Sequence, residues 1–155
     1  MANESRAMII AVANQKGGVA KTTTSVNLTA LLAAAGKRVL LVDMDPQGGC
    51  AVCLGMDTTT MERSVYDALV KPDVAIADVL IATAFNFDLA PANIDLAGAE
   101  IELKQALAAE TVLQRKLKPV LGSYDYIVID TPPSLGILTV NSLTAANKVL
   151  IPISA

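Results

Sequence analysis

The stretch Met8–Thr24, MIIAVANQKGGVAKTTT, constrains the fold more than any other part of the chain. A short apolar run leads into a glycine-containing loop, which ends in Lys21 and three threonines that open a helix. Backbone N–H groups of such a loop and of the first helical turn lack intrahelical partners, so they can face an anion. Lys21 adds a full positive charge, and the Thr22 hydroxyl is short enough to ligate a magnesium ion bridging bound phosphates. Strand, loop, Lys-Thr and helix in that order predict a phosphate-binding loop. Two features depart from the common form. Ala20 stands where glycine usually precedes the lysine, and a second lysine, Lys16, stands at the loop's entry.

The remaining sequence reads as alternating strands and helices around that loop. Met8–Ala13 is a near-continuous apolar run of strand length, as expected of a central parallel strand. Thr22–Ala35 reads as a helix that is apolar on most of its circumference and therefore largely buried, closed by Gly36. Val39–Val42 is the second strand, completing a βαβ unit. Thr58–Thr60 reads as the N-cap region of a helix at 61–69, and Asp78–Ala82 as a further short helix. Phe85–Ala90 alternates like a strand. Asp95 is placed to cap a helix carrying Leu96, Ala99, Leu103 and Leu107, and a second helix is expected over 110–121. Tyr126–Ile129 and Val149–Ile153 read as strands, with helix Leu138–Ala146 between them. The predicted fold is a three-layer α/β domain, with a mainly parallel sheet flanked by helices. The sequence stops at Ser154-Ala155, just past a core strand, which suggests a single domain over residues 1–155, truncated at its C-terminus.

Composition fits that picture and removes some functions. Hydrophobic residues make up 53% and aromatic residues 3%, so Ala, Val, Leu and Ile carry the core, as in a buried parallel sheet. A net charge of −3 argues against a wholly basic nucleic-acid-binding surface but leaves room for a local patch. No apolar run approaches the ~18 residues of a membrane span, and the opening MANESRA has no signal-peptide pattern. Two cysteines are too few for a disulfide framework, so a cytoplasmic location is expected. The absence of histidine removes histidine bases and ligands.

Three aspartates sit where an open α/β sheet binds ligands, beyond the carboxyl ends of its strands. Asp130 ends an apolar strand, the usual place for an aspartate that holds magnesium opposite a phosphate loop. Asp43 and Asp45 follow the other strand two residues apart, so in an extended segment they point the same way. An aspartate at a strand end is more often a turn or cap residue than a ligand. The conjunction with the Lys-Thr loop is what points to nucleotide binding.

The chain resembles the ParA/Soj class of partitioning ATPases, within the deviant-Walker P-loop group that includes MinD and the nitrogenase iron protein. The motifs are NQKGGVAKTTTSVNL (Asn14–Leu28), VLLVDMDPQGG (Val39–Gly49), LAPANIDLAGAEIEL (Leu89–Leu103), YDYIVIDTPPSLGILTVNSLTAA (Tyr124–Ala146) and VLIPISA (Val149–Ala155). The resemblance implies MgATP binding and slow hydrolysis, with an ATP-state homodimer that segregates chromosome or plasmid DNA. It further implies nonspecific DNA binding, stimulation by a ParB-type centromere-binding partner, and a cytoplasmic, nucleoid-associated location. By resemblance, Lys16 reaches across the dimer to the partner's nucleotide, whereas its loop position alone favours a solvated lysine with no partner. Lys21 matches the in-subunit phosphate lysine, Thr22 the magnesium ligand and Thr23 an α-phosphate contact. Asp45 matches the residue needed for hydrolysis, and Asp43 and Asp130 the aspartates that arrange magnesium and its waters. Gly17, Gly18, Val19 and Ala20 supply loop backbone around the phosphates.

Two other readings compete. A MinD-like ATPase acting at the membrane surface needs a C-terminal amphipathic helix, and the Asp45-Pro46-Gln47 wording favours the partitioning branch. Cys50 and Cys53 form a C-x-x-C that suggests a redox or iron–sulfur centre. They are read instead as small core-like side chains.

Overall fold

The computed structural model describes residues 7–153; the MANESRA reading and the terminal Ser154-Ala155 lie mostly outside the described residues. Six strands form one sheet in the order β3-β4-β2-β5-β1-β6. They are β1 (Met8–Val12), β2 (Val39–Asp43), β3 (Ile81–Ala82), β4 (Asp88–Ala90), β5 (Tyr126–Asp130) and β6 (Lys148–Leu150). All neighbours pair in parallel except β3, which runs antiparallel to β4. The mainly parallel three-layer architecture expected from the sequence is the one found.

Strand alternation divides the core into two layers. Ile9, Ala11, Leu40, Val42, Ile127 and Ile129 face the layer formed with α3 (Val65–Val70), α4 (Leu96–Lys104), α5 (Val112–Leu117) and α6 (Ile137–Ala145). Val39, Leu41, Leu89 and Val128 face α1 (Lys21–Ala34) and the short α2 (Gly49–Cys53). β5 lies between β1 and β2, so the βαβ unit read from the sequence is split by a later strand. That insertion matters for function. Asp130 is in register with Val12 on one side and with Asp43 on the other, which brings three strand ends to one edge.

Helix α1 closes as its sequence predicts. Gly36 at φ 78° lets its own N–H reach the Ala33 carbonyl and the Lys37 N–H reach Leu32, a Schellman ending. Its burial differs from expectation. The buried line is Lys21, Ser25, Thr29 and Ala33, small or polar residues four apart, while Leu31 is 70% exposed. Small side chains let the helix sit close to the sheet, and the Thr29 hydroxyl is satisfied by the Ser25 carbonyl at 2.8 Å.

Other boundaries also move. The helix expected over 61–69 begins at Val65, because Ser64 and Asp67 form a capping box there; Thr58–Thr60 is a separate 3₁₀ turn capped by Asp57. Ile76–Val79 is a 3₁₀ turn and Ile81–Ala82 a strand, in place of one short helix. Asp95 precedes α4 without a capping bond and accepts instead from the Asn93 side chain at 3.1 Å. α4 stops at Lys104, leaving Leu107 outside the helix and 92% exposed. The helix expected over 110–121 is α5 with a 3₁₀ turn at each end, the second containing Pro119. The last strand is shorter than predicted, ending at Leu150.

Candidate functional site

The loop between β1 and α1 is anchored at its entry by Asn14. Its side chain donates to the Pro152 carbonyl at 2.8 Å and accepts from the Lys16 N–H at 2.9 Å. Val19 is buried beneath the loop, while Lys16, Gly17, Gly18 and Thr23 are exposed. Gly18 adopts φ 70° and Ala20 φ 60°. Position 20 therefore does demand the left-handed backbone that glycine tolerates, and Ala20 holds it with a Cβ. The Lys21 side chain is nearly buried and curls along the loop, with Nζ 3.2 Å from the Lys16 carbonyl.

Behind the loop, α1 meets the ends of β5 and β2. Thr22 Oγ1 donates to Asp130 Oδ2 and Ser25 Oγ lies against Asp130 Oδ1, both at 2.7 Å. Asp43, fully buried, accepts from the N–H groups of Asp45 and Cys50, each at 3.0 Å. The Met44 N–H bonds the Asp130 carbonyl at 2.9 Å, and the Thr131 hydroxyl bonds that of Val12 at 2.8 Å. These bonds tie the three strand ends together. Gly49 lies against Thr22: a Cβ there would stand 3.1 Å from Thr22 Cγ2.

Asp43 and Asp45 do not point the same way. The chain turns after β2, the Asp45 N–H folding back onto Asp43, and Asp45 Oδ1 accepts from Gln47 N–H at 3.0 Å. Asp43 thus enters the interior beside Asp130, and Asp45 stays half-buried at the mouth. Burial, then the neighbouring Asp130 charge, raises the Asp43 carboxyl to about 7. Burial also raises Asp130, opposed by the bonds from Thr22, Ser25 and Cys50. Ligand atoms of Asp43, Asp130 and the Cys50 thiol lie within 4.8 Å of one another; the two carboxylates and the Thr22 hydroxyl are hard oxygen donors, suited to a hard divalent cation. Among the described residues the ion pairs are Arg38–Asp125 and Lys71–Asp67, neither at this edge.

The structure thus joins Thr22 to Asp130, sets Asp43 beside Asp130, holds Lys21 along the loop, and leaves Lys16 and Asp45 at the rim. Sequence reasoning missed Ser25 and set Cys50 aside as a small core-like side chain. Ser25 was legible only as the residue one turn beyond Thr22, on the same helix face. Cys50 is buried with Sγ 3.6 Å from Asp130 Oδ2, and Cys53 is exposed. The core-like reading holds for Cys50 and fails for Cys53, which the outward face of the short α2 leaves exposed.

An open α/β sheet with this loop and these strand-end carboxylates defines a P-loop NTPase-type domain. Residues 7–155 match the AAA_31 family, described as an AAA domain, and the chain belongs to that family. It is 56% identical over 146 residues to the sporulation initiation inhibitor protein Soj of Bacillus subtilis, covering 94% of this chain and 57% of that protein. It is 49% identical to the chromosome partitioning protein ParA of Myxococcus xanthus, covering 94% of this chain and 51% of the relative. A crystal structure described as cobyrinic acid a,c-diamide synthase from Mycobacterium smegmatis, with bound ADP and magnesium, superposes with a TM-score of 0.92. It is 48% identical, covering 95% of this chain and 60% of that one. The resemblance to ParA and Soj read from the motifs holds. The chain spans little more than half the length of these relatives.

Proposed function

We propose that this chain carries the MgATP site of a ParA-type partitioning ATPase. The observation that carries the reading is the juxtaposition of Lys21 and Thr22 with the buried pair Asp43 and Asp130 at the carboxyl edge of β1, β5 and β2. The bound ADP and magnesium of the similar M. smegmatis structure support it.

In this reading, loop backbone from Gly17 to Ala20 and the Thr22 and Thr23 N–H groups hold the phosphates at the N-terminus of α1. Lys21 swings from the Lys16 carbonyl to the terminal phosphates. Thr22 ligates magnesium, while Asp43 and Asp130 orient the waters around it. When bound, the ion neutralises charge building on the transferred phosphoryl group. Asp45, held at the site's mouth by its turn, positions the attacking water. Lys16, exposed at the loop's entry, closes the open face of the triphosphate in a second copy, so ATP holds a homodimer together and hydrolysis loosens it.

The cellular role follows the partitioning relatives: segregation of chromosome or plasmid DNA, nonspecific DNA binding in the ATP state, and hydrolysis stimulated by a ParB-type partner. No helix among the described residues is long and apolar enough to cross a membrane. The partitioning reading carries with it a cytoplasmic, nucleoid-associated location.

The test is light scattering of the full-length chain with MgATP. Wild type dimerises, Asp45→Ala binds ATP and stays dimeric, and Lys16→Ala dimerises weakly. Monomers for wild type and Asp45→Ala alike refute the dimer. A second reading, an ATP-dependent amide-forming enzyme, is favoured by the similarity to the structure described as a diamide synthase. ATP turnover that requires an amide-nitrogen donor, and ignores DNA and a centromere-binding protein, would select it.

A further inference from the structure

Two buried side chains without an assigned role face the Asp130 carboxylate. Ser25 is fully buried one turn along α1 from Thr22, its hydroxyl 2.7 Å from Asp130 Oδ1. Cys50 is fully buried in the first turn of α2. Its Sγ lies 3.6 Å from Asp130 Oδ2, and its backbone N–H donates to Asp43 Oδ2 at 3.0 Å. With Thr22 on Oδ2, Asp130 is gripped on both oxygens from α1 and on one from α2.

A carboxylate held on both oxygens cannot turn about its terminal bond, yet Oδ1, with the Ser25 hydroxyl alone, keeps a lone pair for a further partner. Neighbours that fix a ligand's orientation in this way commonly set a metal site's affinity. The Ser25 hydroxyl also lies 3.0 Å from the Lys21 carbonyl. It has one proton to give, and an ionised carboxylate is the stronger acceptor. A serine that only bonded its own helix would need no carboxylate at that distance.

We propose that Ser25 and Cys50 are positioning residues for Asp130: they hold its carboxylate toward the divalent cation beside the nucleotide phosphates, and Cys50 couples it to Asp43. The inference rests on the MgATP reading. It assigns neither residue a contact with substrate or cation.

The experiment titrates Mg²⁺ into the full-length chain carrying a fluorescent ATP analogue, with a parallel nucleotide titration in EDTA. Ser25→Ala is expected to raise the Mg²⁺ midpoint roughly tenfold, and to leave the metal-free nucleotide affinity within about twofold of wild type. Ser25→Thr keeps the hydroxyl and restores the midpoint. Cys50→Ala shifts it in the same direction by a smaller factor, an independent arm should Ser25→Ala fail to fold. A structural role would lower the melting temperature without moving the Mg²⁺ midpoint. Wild-type midpoints in the folded variants, or equal losses of affinity with and without Mg²⁺, overturn the proposal. A wild type whose nucleotide binding ignores Mg²⁺ overturns the MgATP reading, and this inference with it.

Discussion

Replacing Ala20 by glycine should stabilise the protein, although it removes atoms. Ala20 sits at φ 60°, ψ 32° immediately before α1, and its side chain makes no capping bond. An L-residue with a Cβ pays about 1–2 kcal/mol in that conformation. Glycine relieves this cost but gives the unfolded chain more freedom, which returns roughly 0.4–1 kcal/mol. The net gain is about 0.5–1 kcal/mol. Ala20 is exposed, so little packing is lost. Urea unfolding should show a midpoint raised by a few tenths molar at unchanged slope, for a slope of about 1–3 kcal/mol per molar. The melting temperature should rise by about 1–4 °C. Ala108, at φ 52° and ψ 52° in an exposed loop far along the chain, is the control. Ala108→Gly should gain by the same mechanism. An unchanged or lowered midpoint in both variants would refute the backbone-strain argument; a gain at Ala108 alone would refute it for the phosphate loop.

The remaining predictions concern the site's charge, a helix cap and the thiols. With its carboxyl raised to about 7, folded Asp43 keeps a proton that the unfolded chain releases near pH ~4. Metal-free stability should therefore fall as pH rises from about 4 to about 7, by an amount on the order of a few kcal/mol. Asp43→Asn should flatten that limb in melting curves recorded against pH. Ser64→Ala removes the cap of α3 and should cost about 1 kcal/mol by urea unfolding. Exposed Cys53 should react with an aromatic disulfide reagent in the folded protein, and buried Cys50 only on unfolding, giving one fast thiol and one slow.

Much of the fold was legible because near-continuous apolar runs of strand length mark buried parallel strands, as at Met8–Val12 and Tyr126–Asp130. Boundaries slipped where two local signals competed. Thr58–Thr60 offered cap residues, but Ser64 and Asp67 formed the reciprocal pair that starts α3. α2 was missed because GCAVC has no helical period in five residues. The burial of α1 was misjudged for another reason. Counting apolar residues around a helix takes no account of how close it sits to the sheet. Only the small or polar line Lys21, Ser25, Thr29, Ala33 fits that approach, which turns Leu31 outward.

The site was legible as a set of residue types and illegible as a charge arrangement. Asp43, Asp45 and Asp130 are the same amino acid, and only the turn after β2 separates them, sending Asp43 inward and Asp45 to the rim. Two carboxylates buried side by side repel, and burial makes each ionised form costly. The Thr22 and Ser25 hydroxyls on α1 and the Cys50 N–H at the start of α2 offset part of that cost. A divalent cation offsets more, since it favours the ionised form of both carboxylates at once. On the MgATP reading, that balance gives the edge a selectivity for multivalent positive charge. This selectivity comes from inserting β5 between β1 and β2, which sets Asp130 beside Asp43 in register. A motif read along the chain has no way to express that neighbour relation.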